Sequence, residues 1–175
     1  MFKNQLYNLK AYRKDREELR DAALQNPLYF EEVICLAFTT SNKDHYKACW
    51  VLELICEKQL DTILPYLDKF CDTLRLYQNE SAIRPIAKIM VFLTHRYKEK
   101  LSEIHIQKFI ETSFDWLISD TKVAAKAYAM EILFELGKLH NWIHSELKQI
   151  ISQDYSKHSA AYKARARMIL KELEN

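Results

Sequence analysis

His140 and His144 stand four positions apart. On a continuous helix that spacing sets two imidazoles on one face, as a zinc site requires. Gly137 and Asn141, however, read as a turn between the two, and no third ligand has an obvious place beside them. His45, His95, His105 and His158 are scattered, so no metal site is expected. Carboxylates also pair: Glu31 with Glu32, Asp68 with Asp72, Glu111 with Asp115, and Glu131 with Glu135. Two carboxylates buried together can share a proton and do acid–base work. Here they recur at helix-surface spacings near Lys or Arg, which reads as a solvated face. No catalytic residue and no cofactor is assigned.

The polar pattern that repeats is basic. Lys43 with Lys47, Arg84 with Lys88, Lys122 with Lys126, and Lys163 with Arg167 each stand at i, i+4 near the start of a candidate helix. Residues so spaced share a helical face. If the helices stack, the pairs form a basic stripe. Cations near a helix N-terminus oppose the macrodipole by roughly 0.3 kcal/mol or more per exposed site, so helix electrostatics does not account for the pattern. Trp50, Tyr128 and Tyr162 lie on the same helices, and aromatics beside Lys or Arg are common in binding surfaces. Trp50 suits a core position as well, and Trp116 and Trp142 read as core. Two readings of the stripe stay open: a solvated face repeated by shared ancestry, and an anion-binding groove. On the second reading, Arg84→Glu with Lys126→Glu weakens partner binding and leaves the fold intact.

Composition limits what elements can carry these residues. The chain has 175 residues, 49% apolar and 29% charged, with a single glycine. One glycine cannot supply GxGxxG, GxxxxGK[ST] or GxSxG, which excludes dinucleotide-binding Rossmann, P-loop and nucleophile-elbow sites. An all-β fold rich in tight hairpins is disfavoured for the same reason. The net charge is +2, too small for a strong global field. Cys35, Cys49, Cys56 and Cys71 lack CxxC spacing and read as free thiols of a reducing compartment. With no secretory or membrane-spanning segment legible, a cytoplasmic protein without a membrane partner is expected. The oligomeric state is not legible.

Periodicity is helical throughout. Ile83, Ile86, Ala87, Met90 and Leu93 fall on one helical face, as do Ala127, Met130, Leu133 and Phe134. Asn26-Pro27 reads as an N-cap followed by proline at the first helical position. Asp61, Ser81 and Ser102 can cap further helices, with Pro65 and Pro85 tolerated near their starts. Gly137 reads as a helix stop in the left-handed conformation. The elements are an N-terminal charged helix over about 4–25, then pairs at 27–40 with 43–58, 61–77 with 81–98, 103–118 with 121–137, and 141–153 with 158–173. One domain over 1–175 is expected, with 1–26 as a capping helix and 27–175 as helical pairs.

The second members of the pairs align. Residues 81–93 match 121–133 without gaps at an offset of 40, pairing Ala87 with Ala127, Met90 with Met130 and Leu93 with Leu133. An offset of 38 places Cys49, Leu52 and Ile55 on Ala87, Met90 and Leu93, and one near 37 places Ala127 and Ile132 on Ala164 and Ile169. Such a period signals an α-solenoid. The paired helices, with the Ala-rich basic stretches Val123-Ala-Ala-Lys-Ala-Tyr-Ala and Ala161-Tyr-Lys-Ala-Arg-Ala-Arg, resemble HEAT-like repeats. The resemblance implies an all-α fold, a right-handed α-α superhelix of about four pairs plus the N-terminal helix, whose second helices line a concave face.

Tyr46-Lys-Ala-Cys-Trp-Val-Leu-Glu, Arg84-Pro-Ile-Ala-Lys-Ile and Phe114-Asp-Trp-Leu-Ile, with Lys122-Val-Ala-Ala-Lys-Ala-Tyr and Tyr162-Lys-Ala-Arg-Ala-Arg, also resemble a small bacterial family whose members often carry the name adenylosuccinate lyase. The lyase signature, a Ser- and Gly-containing loop with a Met-Pro-x-Lys-x-Asn core, does not occur, so that activity is not expected. The leading expectation is a non-catalytic interaction module that binds an acidic protein or peptide through the basic face. The alternative is nucleic-acid binding, including the HEAT-like alkylpurine DNA glycosylases.

Overall fold

The computed structural model describes residues 2–174, the side chain of Asp154 apart. Among the described residues there are ten α-helices and no strand. They are α1 (Phe2–Tyr7), α2 (Arg13–Gln25), α3 (Pro27–Ala37), α4 (His45–Lys58), α5 (Leu67–Thr73), α6 (Glu80–Arg96), α7 (Glu103–Ile118), α8 (Val123–Gly137), α9 (Asn141–Asp154) and α10 (Ala160–Glu172). The chain divides into two compact units, Met1–Phe92 and Leu93–Asn175, with the boundary inside α6 rather than in a linker.

Unit 1 has two layers. Phe30 meets Tyr66 edge-on at 5.7 Å and Phe38 meets Phe70 at 6.1 Å, which sets α3 beside the α5 region. In the other layer α4 lies between α2 and α6. Lys58 of α4 reaches Asp21 of α2 at 2.8 Å, and Lys88 of α6 reaches Glu53 of α4 at 2.9 Å. Enclosed in this way, α4 buries every residue from Val51 to Cys56. A helix apolar nearly all round is what such a central position demands. Unit 2 repeats the scheme. Trp142 of α9 stacks on Phe114 of α7, while Arg165 of α10 reaches Glu131 of α8 at 3.4 Å.

The expected pairs are present, but four local expectations fail, three of them before residue 82. The N-terminal helix is two helices, broken at 8–12. A straight helix would carry Leu6 and Leu9 about 90° round the axis from Leu19 and Ala23. The break lets all four bury, and the Asn8 amide donates back to the Asn4 carbonyl at 2.9 Å. The first member of the second pair begins as a 3-10 helix, Leu60–Tyr66, because Pro65 lacks the N–H an α-turn would use there. Asp61 therefore caps no α-helix. Ser81 caps none either: α6 starts at Glu80, with Asn79 Oδ1 accepting from the Ser81 N–H at 2.8 Å.

Other caps fall where the sequence places them. Asn26 Oδ1 accepts from the Leu28 N–H at 3.0 Å, with Pro27 opening α3. Ser102 caps α7, and the His105 imidazole accepts from the Ser102 N–H, the part a Glu or Gln plays in a capping box.

Gly137 is not a left-handed cap; no positive φ occurs among the described residues. It is the last residue of α8, and a Cβ on it would lie 1.9 Å from His144 Cδ2. Glycine is needed there for close approach, not for an unusual backbone angle.

Candidate functional site

The eight cations do not share one role. In unit 1, Lys43 lies exposed in the turn before α4. Lys47 is largely buried, pairs with Asp44 at 2.9 Å and donates to the backbone carbonyl of Tyr7 at the end of α1. Lys88 binds Glu53 at 2.9 Å and Glu57 at 3.5 Å, and Arg84, half exposed, stands 3.8 Å from Glu53. Glu53 itself is only 4% exposed. In unit 2, Lys122 is exposed at the N-cap of α8, and Lys126 is 6% exposed, with its Nζ donating to the Leu117 carbonyl at 3.0 Å. Lys163 lies 5.9 Å from the Tyr155 ring centroid, and Arg167 is exposed.

Helix electrostatics therefore does act on two of them, Lys47 and Lys126, through neighbouring helices. Tyr7 ends α1 and Leu117 lies in the last turn of α7, where the last carbonyls have no partner within their own helices. A lysine there satisfies an orphan acceptor and sits at the negative end of the dipole. His144 does the same for α8: its Nε2 donates to the Phe134 carbonyl at 2.8 Å, and its ring stacks on Phe134 at 5.4 Å. His140 is the N-cap residue of α9, so it and His144 do not converge. Among the described residues no group of three His, Cys, Asp or Glu side chains is placed to hold a metal.

The aromatics divide similarly. Pro85, inside α6, has no N–H to offer the carbonyl four residues back. That carbonyl, of Ser81, accepts instead from the indole N–H of Trp50 at 3.0 Å. Trp50 thus repairs a proline gap, with Tyr46 edge-on at 5.0 Å and the Arg16 guanidinium 5.6 Å from its ring. Tyr162 is buried against the His158 ring at 3.9 Å, and Tyr128 is half-buried on α8. Trp116 is buried as expected, but Trp142 is not core: it is 55% exposed.

Burial pushes Cys49 and Cys56 well above the ordinary thiol range, and burial likewise raises Tyr77, whose hydroxyl donates to the Ala37 carbonyl at 2.9 Å.

A repeat-register pattern went unread in the sequence. The offsets that align the second helices also align Trp50, Lys88, Tyr128 and Arg165, and separately Glu53, Val91, Glu131 and Met168. Cation and carboxylate meet between successive helices, Lys88 with Glu53 in unit 1 and Arg165 with Glu131 in unit 2. His95, in the last turn of α6, joins Glu131 at 3.0 Å. Helical layers linked through equivalent positions are what stacked helical repeats produce.

The HEAT repeat domain family matches residues 2–173, essentially the whole chain. The chain belongs to the HEAT repeat domain family. No curated protein and no solved structure matches it, so nothing there carries the lyase name. The family accords with the pairing of successive helices, α3 with α4 and α7 with α8. No helix among the described residues is long and apolar enough to cross a membrane.

Proposed function

We propose that the chain is a non-catalytic interaction module, one HEAT-repeat domain over 1–175 capped by 1–26, working in the cytoplasm. It binds an acidic protein or peptide surface through the second helices of its pairs. The observation that carries this reading is the α2–α4–α6 layer of unit 1. There Arg13, Lys14, Arg16, Arg20, Lys47, Lys58, Arg84 and Lys88 stand against Asp15, Glu17, Glu18, Asp21, Glu53, Glu57 and Glu80, an excess of one cation. Lys43 and Arg84 in unit 1, with Lys122 and Arg167 in unit 2, supply the exposed charge. Lys47, Lys88, Lys126 and Lys163 support the helices, as do Trp50 and Tyr162, with Tyr128 at the edge of the surface.

The test is calorimetry of the full chain with a glutamate-rich peptide. Lys43→Glu with Arg84→Gln and Arg167→Glu is expected to weaken binding by about tenfold or more, with the melting temperature kept. Unchanged affinity overturns the reading. The same titration with duplex DNA addresses the nucleic-acid alternative, glycosylase included. Tight binding that falls steeply with salt would transfer the function to that class, against which the pI of about 8.2 already weighs.

A further inference from the structure

The three tryptophans have different fates. Trp50 is spent on the Ser81 carbonyl and Trp116 is buried, whereas more than half of Trp142 faces solvent. A large exposed aromatic held in place is the kind of surface feature that marks a contact site. Trp142 is held: Phe114 stacks behind it at 6.1 Å with the rings 23° from parallel.

Beside it, α7 and the start of α9 enclose a groove of about 320 Å³ lined by Glu103, Ile106, Gln107, Ile110, Glu111 and Trp142, with His140 at its end. Ile106 and Ile110 are buried and form the apolar floor. Glu103 and Glu111, two turns apart on α7, put carboxylates on the same face, and Gln107 between them donates to Glu111 Oε1 at 3.0 Å. The groove thus has an apolar floor, an aromatic wall and an acidic rim. Lys108, three residues before Glu111, borders this rim on α7.

We propose that this groove, on the first-helix layer of unit 2, docks a basic peptide segment of a partner protein through one Lys or Arg side chain. The aliphatic stem lies on Ile106 and Ile110, the cation stands over the Trp142 indole, and Glu103 and Glu111 supply the countercharge. Stem burial with a solvated or paired head is how long cationic side chains behave at such edges, and a cation over tryptophan is the strongest pairing of its type. The occupant is opposite in charge to the one proposed for the second helices, so the module would carry two surfaces of opposite preference.

The probe is a short peptide of alternating Arg and Ala, titrated into the full chain while the Trp142 contribution to fluorescence is followed by difference against Trp142→Phe. Calorimetry measures the affinity in parallel. Trp142→Ala is expected to weaken binding about tenfold or more, and Glu103→Lys with Glu111→Lys at least as much. Trp142→Phe loses less than Trp142→Ala, and Arg84→Gln leaves the affinity unchanged. A melting curve for each variant separates lost binding from lost fold, and the Glu-to-Lys pair keeps the test open if Trp142→Ala unfolds. No binding of the basic peptide overturns the proposal. So does affinity that survives both Trp142→Ala and the charge reversal, or a loss that follows Arg84→Gln instead.

Discussion

Glu53 in unit 1 and Glu131 in unit 2 occupy equivalent positions of the repeat, and each receives a cation from the next second helix. Their surroundings differ. Glu53 is almost wholly buried and clasped by Lys88, with Arg84 near, whereas Glu131 is partly open to solvent between His95 and Arg165. Removing one partner from a buried pair strands a charge in low dielectric and costs several kcal/mol, while exposed pairs are worth little. The same sequence position is therefore structural in one unit and nearly indifferent in the other. Burial decides, not the repeat.

The sharpest way to break that contrast is to add the buried lysine. Lys126→Glu places a carboxylate against the Leu117 carbonyl and should cost about 4 kcal/mol. Lys122→Glu, one turn earlier and exposed, should cost under about 0.5 kcal/mol. Denaturant unfolding of the two checks this, and equal losses would mean that burial is not what separates them. The paired substitution Arg84→Glu with Lys126→Glu, expected from the sequence to weaken binding with the fold intact, should unfold the protein readily.

Next in size, Lys88→Ala should cost about 3 kcal/mol and Arg165→Ala about 1 kcal/mol or less. Similar values would erase the difference between the two carboxylates. Gly137→Ala should cost about 2 kcal/mol, because the new Cβ displaces His144. In a His144→Ala background the same change should be neutral or stabilising by up to about 1 kcal/mol, the ordinary gain of alanine over glycine in a helix. A double-mutant cycle measures that coupling.

The smallest effect is electrostatic. Hydrogen bonds from Arg20 and Lys58 hold the Asp21 carboxyl well below the usual carboxylate range. Its contribution is present above the unfolded value, near 4, and is lost as pH falls through the depressed folded value. Asp21→Asn should lower stability slightly at neutral pH, converge with the parent at the acid end, and so flatten that acid limb of a stability–pH curve.

The helix pairs were legible because their apolar spacing follows 3.6 residues, and Asn26 and Ser102 because capping is local. The break at 8–12 was not, since neither Gly nor Pro marks it and only tertiary burial of Leu6, Leu9, Leu19 and Ala23 requires it. The cations misled for a different reason. Comparing pairs within each helix hid that the repeat alignment puts Lys126 on Ile86, a fully buried position. In the same register Lys88 and Arg165 coincide, and so do Glu53 and Glu131. The exposure of Trp142 was legible: Ser145, Glu146 and Gln149 stand three, four and seven residues on, which sets it off the buried face of Ile143, Leu147 and Ile151.

Amide hydrogen exchange of the full chain, with and without the glutamate-rich peptide, tests the interaction reading most directly. Added protection should appear in the first turns of α6 around Arg84 and along α10 around Arg167, with α7 and α9 unchanged. Protection confined to α7 and α9, or none anywhere at saturating peptide, would contradict it.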